Sequence, residues 1–371
     1  MKATLKKHLV NALGQRLNQK YIVFESDDWG AIRIPDLQTR FELLKNGLLK
    51  QDDPFSRFDT IETSEDYNLL FDVLKNHKDQ SGNHPIITAN FIMNNPDFDA
   101  IKKSSYEHYT AETFQETYRK HKGSEGAFKI MQEGVNQALI KPQFHGSEHL
   151  NVVRWMKYLK AGDKRYHYAF NKKCFAIDEM GNQNRRHNLM ASYDYDNEEE
   201  LTFIKENIRL GLNQFENSFG FKSITSIAPC YVWDNQIEQE MFDANLLAFQ
   251  GSFLQNFPIP GKPFKKIYHY IGQKNNHKQL YFVRNGLFEP SLNAKVDWLS
   301  KCMESIEIAF KWKKPAIIGT HRINFVGGLD ELQRNQNLQN LDLLFANIIR
   351  KWPDVKFISS SELVQKYSKT I

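Results

Sequence analysis

YIVFESDDWG, running from Tyr21 to Gly30, begins with an apolar run and closes on two adjacent aspartates, a tryptophan and a glycine. An apolar run this short, rich in β-branched and aromatic residues and without clean alternation, is the pattern of a strand covered on both faces. Its polar end is where such a strand leaves the core. The same design recurs along the chain in PIITANF (Pro85–Phe91), ALIKPQFH (Ala138–His145), SITSIAPCY (Ser223–Tyr231), LLAFQGS (Leu246–Ser252), LYFVRNG (Leu280–Gly286), PAIIGTH (Pro315–His321) and VKFISSS (Val355–Ser361).

Helical periodicity lies between several of these runs. Tyr67, Leu70 and Val73 recur at helical spacing within Ser64–Asn76, as do Phe203, Ile208 and Leu212 within Glu199–Phe219, and Val296–Phe310 reads the same way. Strands alternating with helices imply a parallel sheet with crossover connections. Seven or eight such units predict an α/β chain folded as a distorted (β/α)7-8 barrel, with an open doubly wound sheet as the competing topology. The expected organisation is one barrel domain over residues 1–371, with loop excursions at about 97–134 and 161–198. The second excursion, which carries RYHYAFNKK and NRRH, is a candidate lid or cleft wall.

Composition narrows the function. Of 371 residues, 41% are hydrophobic and 27 are Phe, enough for a large core and against disorder. Lys and Arg number 49 against 44 Asp and Glu, and the net charge of +5 is interleaved rather than gathered, so a nucleic-acid partner is not expected. Three cysteines, Cys174, Cys230 and Cys302, make no disulfide framework and suit a reducing, cytoplasmic setting. No apolar run reaches transmembrane length, the basic start lacks a signal-peptide core, and no integral membrane contact is expected. No Gly-rich phosphate loop is present, and nothing points to an obligate protein partner.

In a parallel barrel the C-terminal strand ends form the active face. Those ends carry Asp27 and Asp28, Asn90, His145, Arg284 and His321, with Asp234 just beyond Tyr231. In HGSEHLN a strand-end histidine and a second histidine four residues on, His145 and His149, can aim both imidazoles at one cation. A carboxylate must complete such a site while leaving a position open for water. Two adjacent buried aspartates repel unless a cation holds one while the other takes a proton, which divides Asp28 as ligand from Asp27 as base.

In these features the chain resembles the polysaccharide deacetylases (NodB-like, carbohydrate esterase family four) of the wider glycoside hydrolase/deacetylase superfamily. The family's paired aspartates, base then ligand, match Asp27 and Asp28 in SDDWG; its two histidines four apart match His145 and His149; its closing histidine, the general acid, matches His321 in GTH. The motif that normally reads Arg-x-Pro-Tyr is approached by FENSFGFKSITSIAPCY. Pro229 fits there, but Ile227 stands where the arginine is expected and Cys230 where the aromatic is. Gly319 replaces the leucine that lines the acetyl pocket. The resemblance runs from about Tyr21 to about Ser361 and implies a distorted barrel, a divalent metal (Zn²⁺ the first expectation) and a carbohydrate substrate that loses an N-acetyl or other acyl group. It also implies that Asp27 and His321 approach the scissile bond from opposite sides. Arg284 is the candidate to replace the missing arginine beside Asp27. The backbone near Cys230 is a candidate oxyanion donor, and Trp29, Tyr231 and Trp233 are candidates for a sugar-stacking surface.

Three other readings compete. HGSEH fits an inverted zinc-peptidase motif with Glu148 as base, which needs an unbroken helix that Pro142 and Gly146 weaken. Glycoside cleavage would need paired carboxyl groups, nominally Asp234 and Glu289. A catalytically altered, glycan-binding barrel is the non-enzymatic reading, favoured by Ile227 and Gly319 and opposed by Asp27 and His321.

Overall fold

In the computed structural model, residues 2–178 and 188–368 are described. NRRH, Asn184–His187, lies outside them. The parallel strands are β1 (Tyr21–Trp29), β2 (Ile87–Ile92), β3 (Ile140–Gly146), β4 (Thr225–Ile227), β5 (Ala248–Gly251), β6 (Leu280–Val283), β7 (Gly286–Leu287) and β8 (Ala316–His321). Hydrogen bonding runs in the order β6-β5-β4-β3-β2-β1-β8-β7, and an antiparallel strand, Gln273–Lys274, flanks β6. The circuit closes through the chain itself. β6 pairs with β5, Arg284 N–H still donates to Gly251 O, and Asn285 N–H then turns to Ile317 O as β7 pairs with β8. The result is a distorted (β/α) barrel. A short strand, Lys356–Phe357, pairs in parallel with the start of β1.

Alternation along the strands sorts the core. Ile22 and Phe24 face the outer helices, where the Phe24 ring meets Phe345 at 5.1 Å. Val23, Phe282 and Ile317 pack with Leu363, Val364 and Tyr367 of the helix Ser360–Ser368. On the same face of β1 as Val23, next toward its C-terminal end, come Glu25 and then Asp27. A buried polar layer thus succeeds the apolar one: Asn90 Nδ2 donates to Gln250 Oε1 at 2.8 Å, Gln250 Nε2 to Thr225 Oγ1 at 2.9 Å, and Thr225 Oγ1 to Gln143 Oε1 at 2.8 Å.

The excursions expected to be loops are structured. Residues 97–134 hold the helices Phe98–Lys103 and Phe114–Lys120 and most of Ala127–Asn136, with Ala111–Thr113 paired to Asn94–Pro96. Their polar appearance hides Phe98, Ile101, Phe114 and Tyr118, all buried. In the second excursion, helix Lys164–Asn171 buries Tyr166 and Phe170. A hairpin that sequence periodicity does not signal, Leu254–Ile259 with Lys262–Tyr268, turns at the Pro260-Gly261 pair. No described helix is long and apolar enough to cross a membrane.

Candidate active site

Strand geometry alone would send Asp27 and Asp28 to opposite faces. They converge because β1 shifts register against β2 between Ser26 and Trp29, and Asp28 adopts a left-handed φ of 75°. A non-glycine residue held there is strained by roughly 1–3 kcal/mol, which the surrounding contacts must offset. Gly30 completes the turn at φ 81°, and a Cβ on it would stand 2.5 Å from Ile92 O, so SDDWG needs its glycine.

Asp28 Oδ1 lies 3.2 Å from His145 Nε2 and 3.4 Å from His149 Nε2. One ligand atom from each residue falls within 4.8 Å of the others, and all three residues are buried. His145 Nδ1 lies 2.9 Å from Ile227 O, so its N–H is held there and Nε2 is left as the lone-pair nitrogen facing Asp28. Burial pushes His149 down to about 3 despite the nearby Asp28, so its imidazole is neutral, as a ligand must be. Burial opposes ionisation of Asp28, but its polar and charged neighbours outweigh it and hold its carboxyl well below the usual range, with Arg33 the permanent charge among them. This buried carboxylate–imidazole set fits a divalent cation.

Asp27 is gripped on both oxygens. Arg284 Nη1 and Nη2 donate to Oδ2 and Oδ1 at 2.6 Å each, Nε donates to Glu25 Oε2 at 2.8 Å, and Asn90 Nδ2 donates to Asp27 Oδ1 at 2.7 Å. Burial raises the Asp27 pKa, Arg284 lowers it further than that, and the carboxyl ends below its ordinary value. Glu25, beneath it, is raised by burial more than Arg284 and Ser360 lower it. Gly319 explains how Arg284 fits: a Cβ there would stand 2.6 Å from Arg284 Cδ and 3.1 Å from Leu287 Cδ2. The space that the missing leucine would leave is thus filled by the arginine stem, and no acyl pocket opens at Gly319.

His321 Nδ1 lies 2.6 Å from Glu289 Oε1, and Asn324 Nδ2 donates to Glu289 Oε2 at 2.8 Å. Burial would lower the imidazole's pKa, but Glu289, Asp28 and Asp27 more than reverse that and raise it to about 9. Asp27 and His321 are register partners on β1 and β8, with His321 Nε2 3.8 Å from Asp27 Oδ2. They therefore stand side by side, because adjoining strands deliver both.

Asp27, Asp28, His145, His149 and His321 line a cleft of about 510 Å³, together with Cys230 and Tyr231. Cys230 and Tyr231 have left-handed φ values of 55° and 56°, which turn the chain sharply at the rim. Ala176, Ile177, Asp178, Asn188 and Met190 from the second excursion form one wall. Trp29 and Trp233 are not part of the cleft. Each is 1% exposed. Trp29 stacks on Tyr67 and donates to Ser26 Oγ, while Trp233 stacks on Phe249 and donates to Glu238 Oε1. Their bulk is satisfied by the core, so the sugar-stacking expectation fails for both.

The peptidase reading fails as well, since His145 lies within a strand that runs to Gly146 (φ 134°), and no helix joins it to His149. Asp234 is occupied in capping the helix Asn235–Asp243 and in accepting from Tyr195 at 2.5 Å, and Glu289 serves His321, so neither is a free glycosidase carboxyl.

Arg33 and Glu25 are neighbours of the site that carried no sequence assignment. Glu25 was legible from period two, being on the same face as Asp27. Arg33 is placed by tertiary contacts: its Nε lies 3.1 Å from Asp59 Oδ2, and Arg322 donates to Asp59 Oδ1 at 2.9 Å and to Glu62 Oε2 at 2.8 Å.

Comparison with protein-family models and with curated proteins finds no match. Among solved structures, the chain is similar to a protein from Parabacteroides distasonis named for the glycoside hydrolase/deacetylase class (8% identity, 96% of this chain and 73% of that one, TM-score 0.49). It is also similar to a 4-alpha-glucanotransferase from Thermococcus litoralis (8% identity, 96% of this chain, TM-score 0.47), of whose length it spans 41%. A third is the alpha-amylase AmyC from Thermotoga maritima (9% identity, 94% of this chain and 75% of that one, TM-score 0.46). The activities named for these proteins differ from one another.

Proposed function

We propose that this chain is a cation-dependent hydrolase that removes an N-acetyl or other acyl group from a sugar, as its resemblance to the NodB-like deacetylases implies, and that it works as one barrel domain. The observation that carries this reading is the convergence, in one cleft, of the Asp28–His145–His149 ligand set with Asp27 and His321. Asp28, His145 and His149 would hold the cation, with Zn²⁺ suited to such a nitrogen and oxygen set. When bound, the cation supplies a water of lowered pKa and polarises the acyl carbonyl.

The chain's own residues do the rest. Asp27 accepts the water's proton; the Arg284 clamp and Asn90 fix its orientation, at the expense of basicity. His321, kept protonated at neutral pH by Glu289, donates a proton to the departing amine. Of the three aromatic candidates Trp29, Tyr231 and Trp233, Tyr231 is the one that lines the cleft, for contact with a sugar face.

Purified protein loaded with Zn²⁺ should release acyl acid and a free amine from at least one member of a panel of N-acylated sugars, and chelator should abolish the release. Full metal loading without turnover on the panel, or turnover indifferent to chelator, refutes the reading.

A further inference from the structure

We propose that Arg33, seated on Phe55, forms an anion subsite beside the ligand cluster, so that the sugar substrate carries a carboxylate or phosphate next to its acylated amine. This rests on the hydrolase reading for the word substrate, but not for the subsite itself.

The guanidinium is fixed before any ligand arrives. Its carbon lies 4.5 Å from the centre of the Phe55 ring, and its Nε is tied to Asp59 at 3.1 Å. The backbone is pinned as well, since Cys174 Sγ donates to Arg33 O at 3.3 Å and Ile34 N–H donates to Asp59 O at 3.2 Å. With Nε ion-paired to Asp59, the Nη edge is the recognition edge. Nη2 stands 3.6 Å from Asp28 Oδ2, beyond hydrogen-bonding distance, and Nη1 has no acceptor among the described residues.

The side chain is only 12% exposed, and what it exposes lies in the cleft. Guanidinium donors that face a confined cleft without a protein acceptor are suited to a carboxylate or a phosphate, either of which can take them in paired fashion. The surrounding carboxylates do not fill that role. Asp59 is shared with Arg322, and Asp28 turns its other oxygen to His145 and His149. Phe55 also meets the His321 ring edge-on at 5.4 Å, so the subsite adjoins the proposed proton donor.

The test is calorimetric titration of the Zn²⁺-loaded full chain, in the Asp27→Asn background to prevent turnover. The probes are N-acetylglucosamine, its uronic acid counterpart and its 6-phosphate. At least one anionic probe should bind about tenfold or more tightly than the neutral sugar. That advantage should vanish in Arg33→Met, which keeps a stem against Phe55, and survive in part in Arg33→Lys. Preference for the uronic acid identifies a carboxylate ligand, and preference for the 6-phosphate a phosphate.

Equal affinity for all three probes, no detectable binding of either acid, or a preference untouched in a folded Arg33→Met protein overturns the proposal. If Arg33→Met does not fold, undiminished preference in Arg33→Ala does so instead. Arg33-dependent binding of an acid that the unmodified chain never deacylates leaves the subsite standing and the hydrolase reading fallen. Deacylation with no dependence on Arg33 does the reverse.

Discussion

Replacing Gly319 by Ala tests whether Gly319 and Arg284 are two halves of one device. The added methyl would sit 2.6 Å from Arg284 Cδ and 3.3 Å from Arg284 Nε, well inside van der Waals contact. Arg284 cannot yield cheaply, because its donors are spent on Glu25 and Asp27 in a buried site. If the stem shifts and keeps its ion pairs, the cost is that of overpacking, about 1–3 kcal/mol. If the guanidinium is expelled, two buried carboxylates lose their cation and the cost rises to about 3–5 kcal/mol. Urea unfolding of the metal-free protein reads this directly, since bound metal would add its own linkage. The decisive control is the same substitution in an Arg284→Ala background. There the methyl meets no stem, and a double-mutant cycle should return a coupling of about 1–3 kcal/mol. A change below about 0.5 kcal/mol for Gly319→Ala, the size of an ordinary surface substitution, or additivity in the cycle, would refute the interlock.

Three further outcomes follow from the same geometry. Because the folded pKa of His321 is raised, its imidazolium contributes stability in full below about pH 6.5, the ordinary imidazole value, and loses it as pH rises through about 9. An NMR titration of metal-free protein should place its midpoint near 9, and Glu289→Gln should bring it down; an unmoved midpoint would show that Glu289 is not the cause. Calorimetric Zn²⁺ binding should disappear in His145→Ala and His149→Ala but persist with one ion per chain in Asp27→Asn, and metal loss in the last would exchange the duties of the two aspartates. Trp233→Ala should cost about 3–5 kcal/mol in stability as a core truncation, while Trp233→Phe should leave sugar affinity unchanged; weaker sugar binding by a folded Trp233→Phe protein would return this residue to the cleft.

Much of the barrel was readable from the chain because strand and helix periods are local. Each apolar run overlaps a parallel strand, and Ser64–Lys75 and Glu198–Phe219 became helices within a residue of their periodic limits. Asp28, His145 and His149 were legible too, since their proximity follows from where strand ends gather in a closed barrel. Their contact still spans 117 residues between Asp28 and His145, and only closure of the sheet makes it. Tertiary structure alone decided what depends on reach and space across that sheet. Arg284 finds Asp27 from 257 positions away because Gly319 clears its path. Asp27 and Asp28 share one cleft because a register shift and a left-handed φ override strand alternation. Trp29, next to both in sequence, goes to the core instead. Local pattern says which faces a segment can offer; which neighbour fills the space opposite is set by packing among residues far apart in the chain.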